Sequence, residues 1–325
     1  MAEFEVTMKS LYAIGVDLGG TNLRVGVIRD DGHVEADAAV PVGTEKSADR
    51  IASLIGEHVA LMQNQTSLPL TGCGCGIPGI VDSDRGIVFN SPNFPDWQDV
   101  PILKLLEKSI TLPLLIDNDA NMFALAELLF GAGKGRHNLI MLTLGSGIGG
   151  GIVIDGKVFH GDRGFAGEVG HIVVEPDGVP CGCKSHGCWE QYAAGRAFTH
   201  LVHRLPKHER EAVLAEVYGD ANQLSPELIA SLAGRGNTIA KELWRSYGRY
   251  LGIGIASLIN VLGITTIVIG GGIARSWDYF IDACRAEIMS RTYHKNVVQL
   301  KLLPASLGEN TGIVGAASAM FQRRP

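Results

Sequence analysis

Clusters of lysine and arginine are missing from this sequence. Its 28 basic side chains face 34 acidic ones, the net charge is −6, and the exception is the short Arg323-Arg324 tail. With no basic patch there is no electrostatic footprint for a nucleic acid or for an anionic membrane surface. Met1 to Ser10 holds no apolar core of a secretory signal, which predicts a cytoplasmic protein in which the six cysteines stay unpaired. A Gly-Lys-Ser/Thr phosphate loop is absent, and so is a good dinucleotide-binding fingerprint. Low-complexity tracts and flexible linkers are absent too, so an ordered chain with firmly packed parts is expected.

Charge is also absent from Tyr250 to Ala274, a stretch long enough to span a bilayer. Six glycines, Asn260, Thr265 and Thr266 interrupt it. The pattern is better read as the end of a buried helix, a turn at Gly263 and a buried strand from Ile264 to Ile269.

Glycine is abundant instead: 42 of 325 residues, against a usual share of roughly 7%. The glycines follow apolar runs, as they do where backbone must approach something closely. Strands are predicted at Leu11–Asp17, Leu23–Arg29 and Val34–Val42, forming an antiparallel meander. A helix follows over Ser47–Gln63, then strand Thr71–Ile77, broken by Pro78-Gly79. A loop rich in proline (Pro92, Pro95, Pro101) leads to a short helix and strand Leu112–Ile116. Helix 119–130 precedes strands Leu139–Leu144 and Gly151–Ile154, which repeat the first meander about 128 residues on, Gly19 to Gly147. This repetition suggests two related halves. The rest is mostly helical from Trp189 to Val261, then strand Thr266–Ile269, helix Ser276–Arg291, strand Leu300–Leu303 and a last helix from about Thr311.

Three glycine turns follow apolar strands: Asp17-Leu18-Gly19-Gly20-Thr21, Gly145-Ser146-Gly147, and Gly270-Gly271-Gly272. Alone, each is an ordinary strand ending. Together they point to phosphate oxygens held by backbone N–H groups, with Asp17 placed to hold Mg²⁺ directly or through water. Asp117-Asn118-Asp119-Ala120-Asn121 sits where a strand meets a helix. A helix cap explains one of these polar side chains but not four, and a carboxylate flanked by amides suits a general base beside a sugar hydroxyl. Gly167-Glu168-Val169-Gly170-His171 precedes Cys181, Cys183, Cys188 and Glu190. One imidazole with three thiolates makes a closed, structural Zn²⁺ set, although His186 competes for the fourth position.

The motifs DLGGT, GIPG, NDAN, LGSGIGGG, GEVGH…CGC…GCWE and IGGG, in this order from about Leu11 to Met320, resemble the ROK family (repressors, open reading frames, kinases). Lys184 departs from that pattern, standing where the family usually has glycine. The resemblance implies a two-domain α/β, actin/hexokinase-like (ribonuclease H-like) fold with a cleft. The smaller domain would be 1–117 with the last helix, 311–325, packed back on it, and the larger one 118–310. It implies Asp119 as catalytic base and Asn93, Asn118, Gly79, Glu168, His171 and Glu190 as sugar contacts. His171 would serve zinc and sugar with one ring nitrogen each. Asp17, Gly19, Gly20 and Thr21 would form the ATP-phosphate hairpin, with Gly145, Ser146, Gly147, Gly271 and Gly272 completing the nucleotide pocket. The expected activity is transfer of a phosphoryl group from Mg-ATP to the 6-hydroxyl of a hexose, glucose above N-acetylmannosamine, N-acetylglucosamine or fructose, by a homodimer. The rival within the family is a sugar-responsive repressor. Only sixteen residues precede Asp17, too few for the helix-turn-helix such repressors carry.

Overall fold

A computed structural model of the chain describes residues 10–293 and 299–322. Met1 to Lys9, read above as lacking a signal, and the Arg323-Arg324 tail lie outside the described residues. In chain order the elements are β1 (Tyr12–Leu18), β2 (Asn22–Arg29), β3 (Val34–Pro41), α1 (Ala48–Gln65), β4 (Leu70–Ile77), β5 (Ile80–Asp82), β6 (Ile87–Ser91), β7 (Phe94–Val100), α2 (Ile102–Leu106), β8 (Leu114–Asn118) and α3 (Asp119–Leu129). There follow β9 (Leu139–Leu144), β10 (Ile148–Ile154), β11 (Lys157–Val158), α4 (Glu190–Ala193), α5 (Ala197–His203), α6 (Lys207–Ala215), α7 (Pro226–Gly234) and α8 (Thr238–Leu262). The chain closes with β12 (Thr266–Gly270), α9 (Trp277–Arg291), β13 (Lys301–Pro304) and α10 (Thr311–Gln322).

The chain divides into two compact units. The first comprises the described residues of Met1–Gly135, Gly156–Ala166 and Ser306–Pro325. Its main sheet runs β3-β2-β1-β4-β8, with β1 antiparallel to β2 and parallel to β4, and β4 parallel to β8. One face of the sheet packs on α1 and α2 through Ile14, Val16, Ile51, Ile55, Val59 and Leu106, all fully buried. The other is covered by α10 and α3 through Ile313, Ala316, Ala317, Met122 and Ala126. Burial of both faces explains why β1 reads as a continuous apolar run and does not alternate.

The second unit comprises Arg136–Asp155 and Gly167–Ala305. Its sheet places β10, β9, β12 and β13 in that order, with β9–β10 antiparallel and β9–β12 and β12–β13 parallel. This is the order and sense of β2, β1, β4 and β8, so the repeated strand–glycine–strand layout extends to topology. Helices α5, α7, α8 and α9 bury the aromatic cluster Phe198, Trp244, Tyr247 and Phe280. The uncharged run ends α8 at a left-handed Gly263 (φ 68°), whose N–H bonds the Ile259 carbonyl, and resumes as fully buried β12. Among the described residues no helix is long and apolar enough to cross a membrane.

Two sequence expectations are corrected. The proline-rich loop is largely a small sheet, β5-β6-β7. Pro95 is tolerated because β7 pairs on one side only and Pro95 is exposed, while Phe94 and Trp97 stack at 4.6 Å in the interior. The strand expected from Gly151 begins at Ile148 and includes three glycines. Gly150 is needed there: a Cβ on it would lie 2.5 Å from the Val169 side chain and 2.7 Å from the Gly167 carbonyl. The Gly167–His171 segment crosses directly over this strand.

Candidate active site

In the first unit the parallel strands β1, β4 and β8 end at one edge of the sheet. Open α/β sheets bind ligands at such an edge, where loops and helix N-termini gather. Asp17 lies near the end of β1, Gly79 just beyond β4, Asn118 ends β8 and Asp119 begins α3.

The β1–β2 turn, Gly19-Gly20-Thr21, is closed by the Gly19 N–H on the Asn22 carbonyl (2.9 Å). Gly20 has no room for a side chain, since a Cβ would sit 2.2 Å from the Asn93 amide nitrogen. The hairpin and the Asn93 turn therefore press on one another. Lys46 pins both, donating from Nζ to the Gly20 carbonyl (2.8 Å) and the Asn93 carbonyl (3.4 Å) above the Phe94 ring. Lys46 does not stand out by type or spacing, because its partners are backbone atoms far along the chain.

At the start of α3, Asn118 is the N-cap. Its Oδ1 accepts from the Asn121 N–H (3.2 Å) and its Nδ2 donates to the Gly79 carbonyl (2.9 Å). Asp119 Oδ1 accepts from the Ala120 N–H at 2.9 Å. Asp117 is buried beneath them, its Oδ1 accepting from the Asn118 N–H (2.7 Å) and Asn121 Nδ2 (2.9 Å). Asp117 Oδ2 lies 2.7 Å from His160 Nε2, a second residue that sequence reading missed. Asp17 feels the Asp119 carboxylate. Burial first, then that neighbouring charge, pushes the Asp17 carboxyl up to about 7 against the pull of Arg24. Two carboxylates so placed favour a divalent cation.

The second unit holds the remaining predicted residues. The Gly145-Ser146-Gly147 turn joins β9 to β10, with the Gly145 N–H on the Gly147 carbonyl (3.1 Å) and the Gly195 N–H on the Gly145 carbonyl (2.8 Å). Gly271-Gly272 follows β12 and packs on the end of β9, where a Gly271 Cβ would be 2.3 Å from the Leu144 carbonyl oxygen. The two glycine turns are thus neighbours. Glu190 opens α4 and points toward Gly147, Oε2 lying 2.7 Å from where a Cβ would be.

His171 stands between two sets of partners. Its Nδ1 lies 3.8 Å from Cys181 Sγ and 3.9 Å from Glu190 Oε1, while its Nε2 is 3.8 Å from Glu168 Oε2. Burial raises the Glu168 carboxyl above its ordinary range, with His171 opposing and Glu190 reinforcing. Cys183 and Cys188 sulfurs are 3.6 Å apart, and all four ligand atoms of His171, Cys181, Cys183 and Cys188 lie within 4.8 Å of one another. A tetrahedral site with metal–sulfur bonds of about 2.3 Å has edges of about 3.8 Å, so this set fits a metal. The competing nitrogen of His186 is not part of the group. Gln191 Nε2 approaches Cys181 Sγ at 3.5 Å, a donor suited to a thiolate. Lys184, in the same loop, adopts φ 72°, the left-handed conformation that favours glycine.

The ROK family profile matches residues 13–323. The chain belongs to the ROK family. Its fold is the actin/hexokinase-like, ribonuclease H-like one. Among ROK relatives, the glucokinase of Streptomyces coelicolor is 35% identical over 96% of this chain and 98% of its own length. The structure of a ROK family glucokinase from Streptomyces griseus, in complex with glucose and AMPPNP, aligns with a TM-score of 0.79 at 34% identity, covering 96% of this chain and 99% of that one. The xylose repressor of Bacillus subtilis is 30% identical over 96% of this chain and 78% of its own length. The family thus includes both kinases and regulators among the relatives of this chain.

Proposed function

We propose that this protein is a glucokinase, moving the γ-phosphoryl group of ATP to the 6-hydroxyl of glucose. The observation that carries the reading is that Asp119, at the N-terminus of α3, and Asp17, beside a glycine hairpin, stand at the same edge of one sheet. Together with the likeness to glucokinases over nearly the whole chain, it supports a kinase above a regulator that only senses sugar.

In this reading Asp119 accepts the proton of the attacking hydroxyl. The O6–Pγ bond forms, the bond from Pγ to the bridging β,γ-oxygen breaks, and ADP leaves with that oxygen. Asn118, Asn93 and the Gly79 backbone bind sugar hydroxyls, and Glu168, His171 and Glu190 bind those near the anomeric end. Backbone N–H groups of Gly19, Gly20 and Thr21 hold phosphate oxygens, and Gly145, Ser146, Gly147, Gly271 and Gly272 hold the nucleotide. Asp17 would hold Mg²⁺, which when bound would supply neutralisation of charge on the transferring group. The phosphoryl transition state is loose, so positioning and electrostatics supply most of the rate.

The same reading includes one structural Zn²⁺ on His171, Cys181, Cys183 and Cys188, a cytoplasmic location and a homodimer. The test is a hexose panel with Mg-ATP, following ADP release: glucose, fructose, N-acetylglucosamine and N-acetylmannosamine. Glucose should give the highest kcat/KM, and Asp119→Asn should lower kcat by on the order of 10²–10⁴ with little change in sugar affinity. Absence of turnover with every sugar, alongside intact sugar binding, would establish the regulator instead.

A further inference from the structure

The base assigned to Asp119 needs a fixed backbone, and hydrogen bonds account for most of what fixes it. Asn118 ties the turn to Gly79 through Nδ2 and caps α3 through Oδ1. Asn121 turns back to Asp117, donating from Nδ2 to Oδ1 at 2.9 Å, and the Asn118 N–H reaches the same oxygen at 2.7 Å. Asp117 is thus the post to which Asn118, just before Asp119, and Asn121, in the helix behind it, are tied. Asp117 is 5% exposed, and an ionised carboxylate so enclosed needs a compensating partner. Its second oxygen, Oδ2, has one: His160 Nε2 at 2.7 Å.

His160 comes from a different part of the chain. It lies in the short segment Gly156–Ala166 that belongs to the first unit, though the stretches before and after it belong to the second. The segment closes on itself and packs against β5. The Ala166 N–H bonds the His160 carbonyl at 3.0 Å. Gly164, at φ 78°, lies so close to the β5 backbone that a Cβ would be 1.9 Å from the Val81 carbonyl. The charged groups that face the imidazole are Asp117 and, from the β5–β6 connection, Asp84. The hydrogen bond to Asp117 and both negative charges raise its proton affinity, against burial.

We propose that His160 is a positioning residue for the phosphoryl transfer: by donating Nε2–H to Asp117 it fixes the turn that aims Asp119. The inference rests on the reading of Asp119 as the base. The proposed role gives His160 no contact with substrate. Removing His160 frees Asp117 to rotate, and that loosens the Asn118 and Asn121 bonds. A small misplacement of the attacking geometry is costly in rate, while ground-state binding, which the proposed reading spreads over Asn93, Gly79, Glu168, His171 and Glu190 as well as Asn118, changes less.

The experiment compares His160→Phe, His160→Gln and His160→Asn in the full chain with glucose and Mg-ATP. Glutamine presents an N–H where Nε2 stands; asparagine is too short, and phenylalanine has none. His160→Phe should lower kcat about 10- to 100-fold, with KM for glucose and for ATP changed less than about threefold. His160→Gln should restore most of kcat and His160→Asn should not. Should the phenylalanine chain fail to fold, the glutamine–asparagine comparison decides alone. Equal kcat for these two, or a phenylalanine variant that turns over like the wild type, overturns the proposal. A wild type that turns over, an Asp119→Asn variant that does not and a fully active His160→Phe variant reject this role and leave the kinase reading standing. Failure of the wild type itself to transfer phosphate rejects the kinase reading.

Discussion

At the scale of single residues, Asp17 carries a measurable conflict. Its carboxyl has an ordinary pKa of 3.8 and is pushed to about 7 in the folded chain, chiefly by burial and next by Asp119. Below about pH 4 both folded and unfolded chains hold the proton and nothing is lost. Between these values the unfolded chain releases it while the folded chain retains it. Stability from this group therefore falls as pH rises through that window and is gone above about 7. Asp17→Asn removes the conflict, so its melting temperature should exceed that of the wild type at pH 8 and approach it only below the unfolded value of 3.8. The same variant should need more Mg-ATP and turn over slowly, while nucleotide-free sugar affinity stays intact. Collapse of sugar affinity would mean that Asp17 supports the sugar side or the hairpin itself. Not all of this was legible beforehand. The carboxylate at the end of β1 and the NDAN turn stand out by type and spacing. Lys46 and His160 do not, because Lys46 binds backbone carbonyls and the partner of His160 is 43 positions away.

At the scale of elements, strands closed by glycine turns were readable because apolar runs and glycines mark both ends locally. The β6–β7 hairpin was not, since its prolines signal a loop and only tertiary burial of Phe94 and Trp97 reveals the pairing. The glycine-rich start of β10 was hidden for the same reason: the segment crossing Gly150 arrives from residues 167–169. Lys184 gives a test of the cysteine loop. A non-glycine residue in the left-handed region costs roughly 1–2 kcal/mol, offset in part by the greater unfolded-state entropy of glycine. Lys184→Gly should therefore stabilise the chain by about 0.5 kcal/mol in urea unfolding, with metal content unchanged. A destabilisation would mean that the lysine side chain makes a compensating contact.

At the scale of the whole molecule, the matched order of β2-β1-β4-β8 and β10-β9-β12-β13 was foreshadowed by the two glycine hairpins, while the helices and inserted loops around them differ. The cysteine loop is one such insertion, and in the proposed reading it would tie metal to sugar chemistry through His171 and Glu190. Purified protein should contain about one zinc per chain by the count of one four-ligand set. Chelation, or Cys183→Ala, should lower the melting temperature and weaken glucose binding more than ATP binding. Metal analysis with calorimetric titration of both ligands checks this; a metal-free native protein with unchanged sugar affinity would defeat it.

The first unit is also assembled out of sequence. Helix α10, Thr311–Gln322, covers the face of β1 and β4, and its Ile313 and Ala316 carbonyls lie so close that a Cβ on Gly15 or Gly74 would fall 1.8 or 1.9 Å from them. During synthesis the strands that leave the ribosome first must wait for the last helix before that face is sealed. The second unit, from Arg136 to Ala305 apart from one short excursion, has all of its strands before then. A growing chain should thus complete its second unit ahead of its first, and a nascent chain arrested before α10 emerges should expose β1 and β4 to a chaperone or a protease.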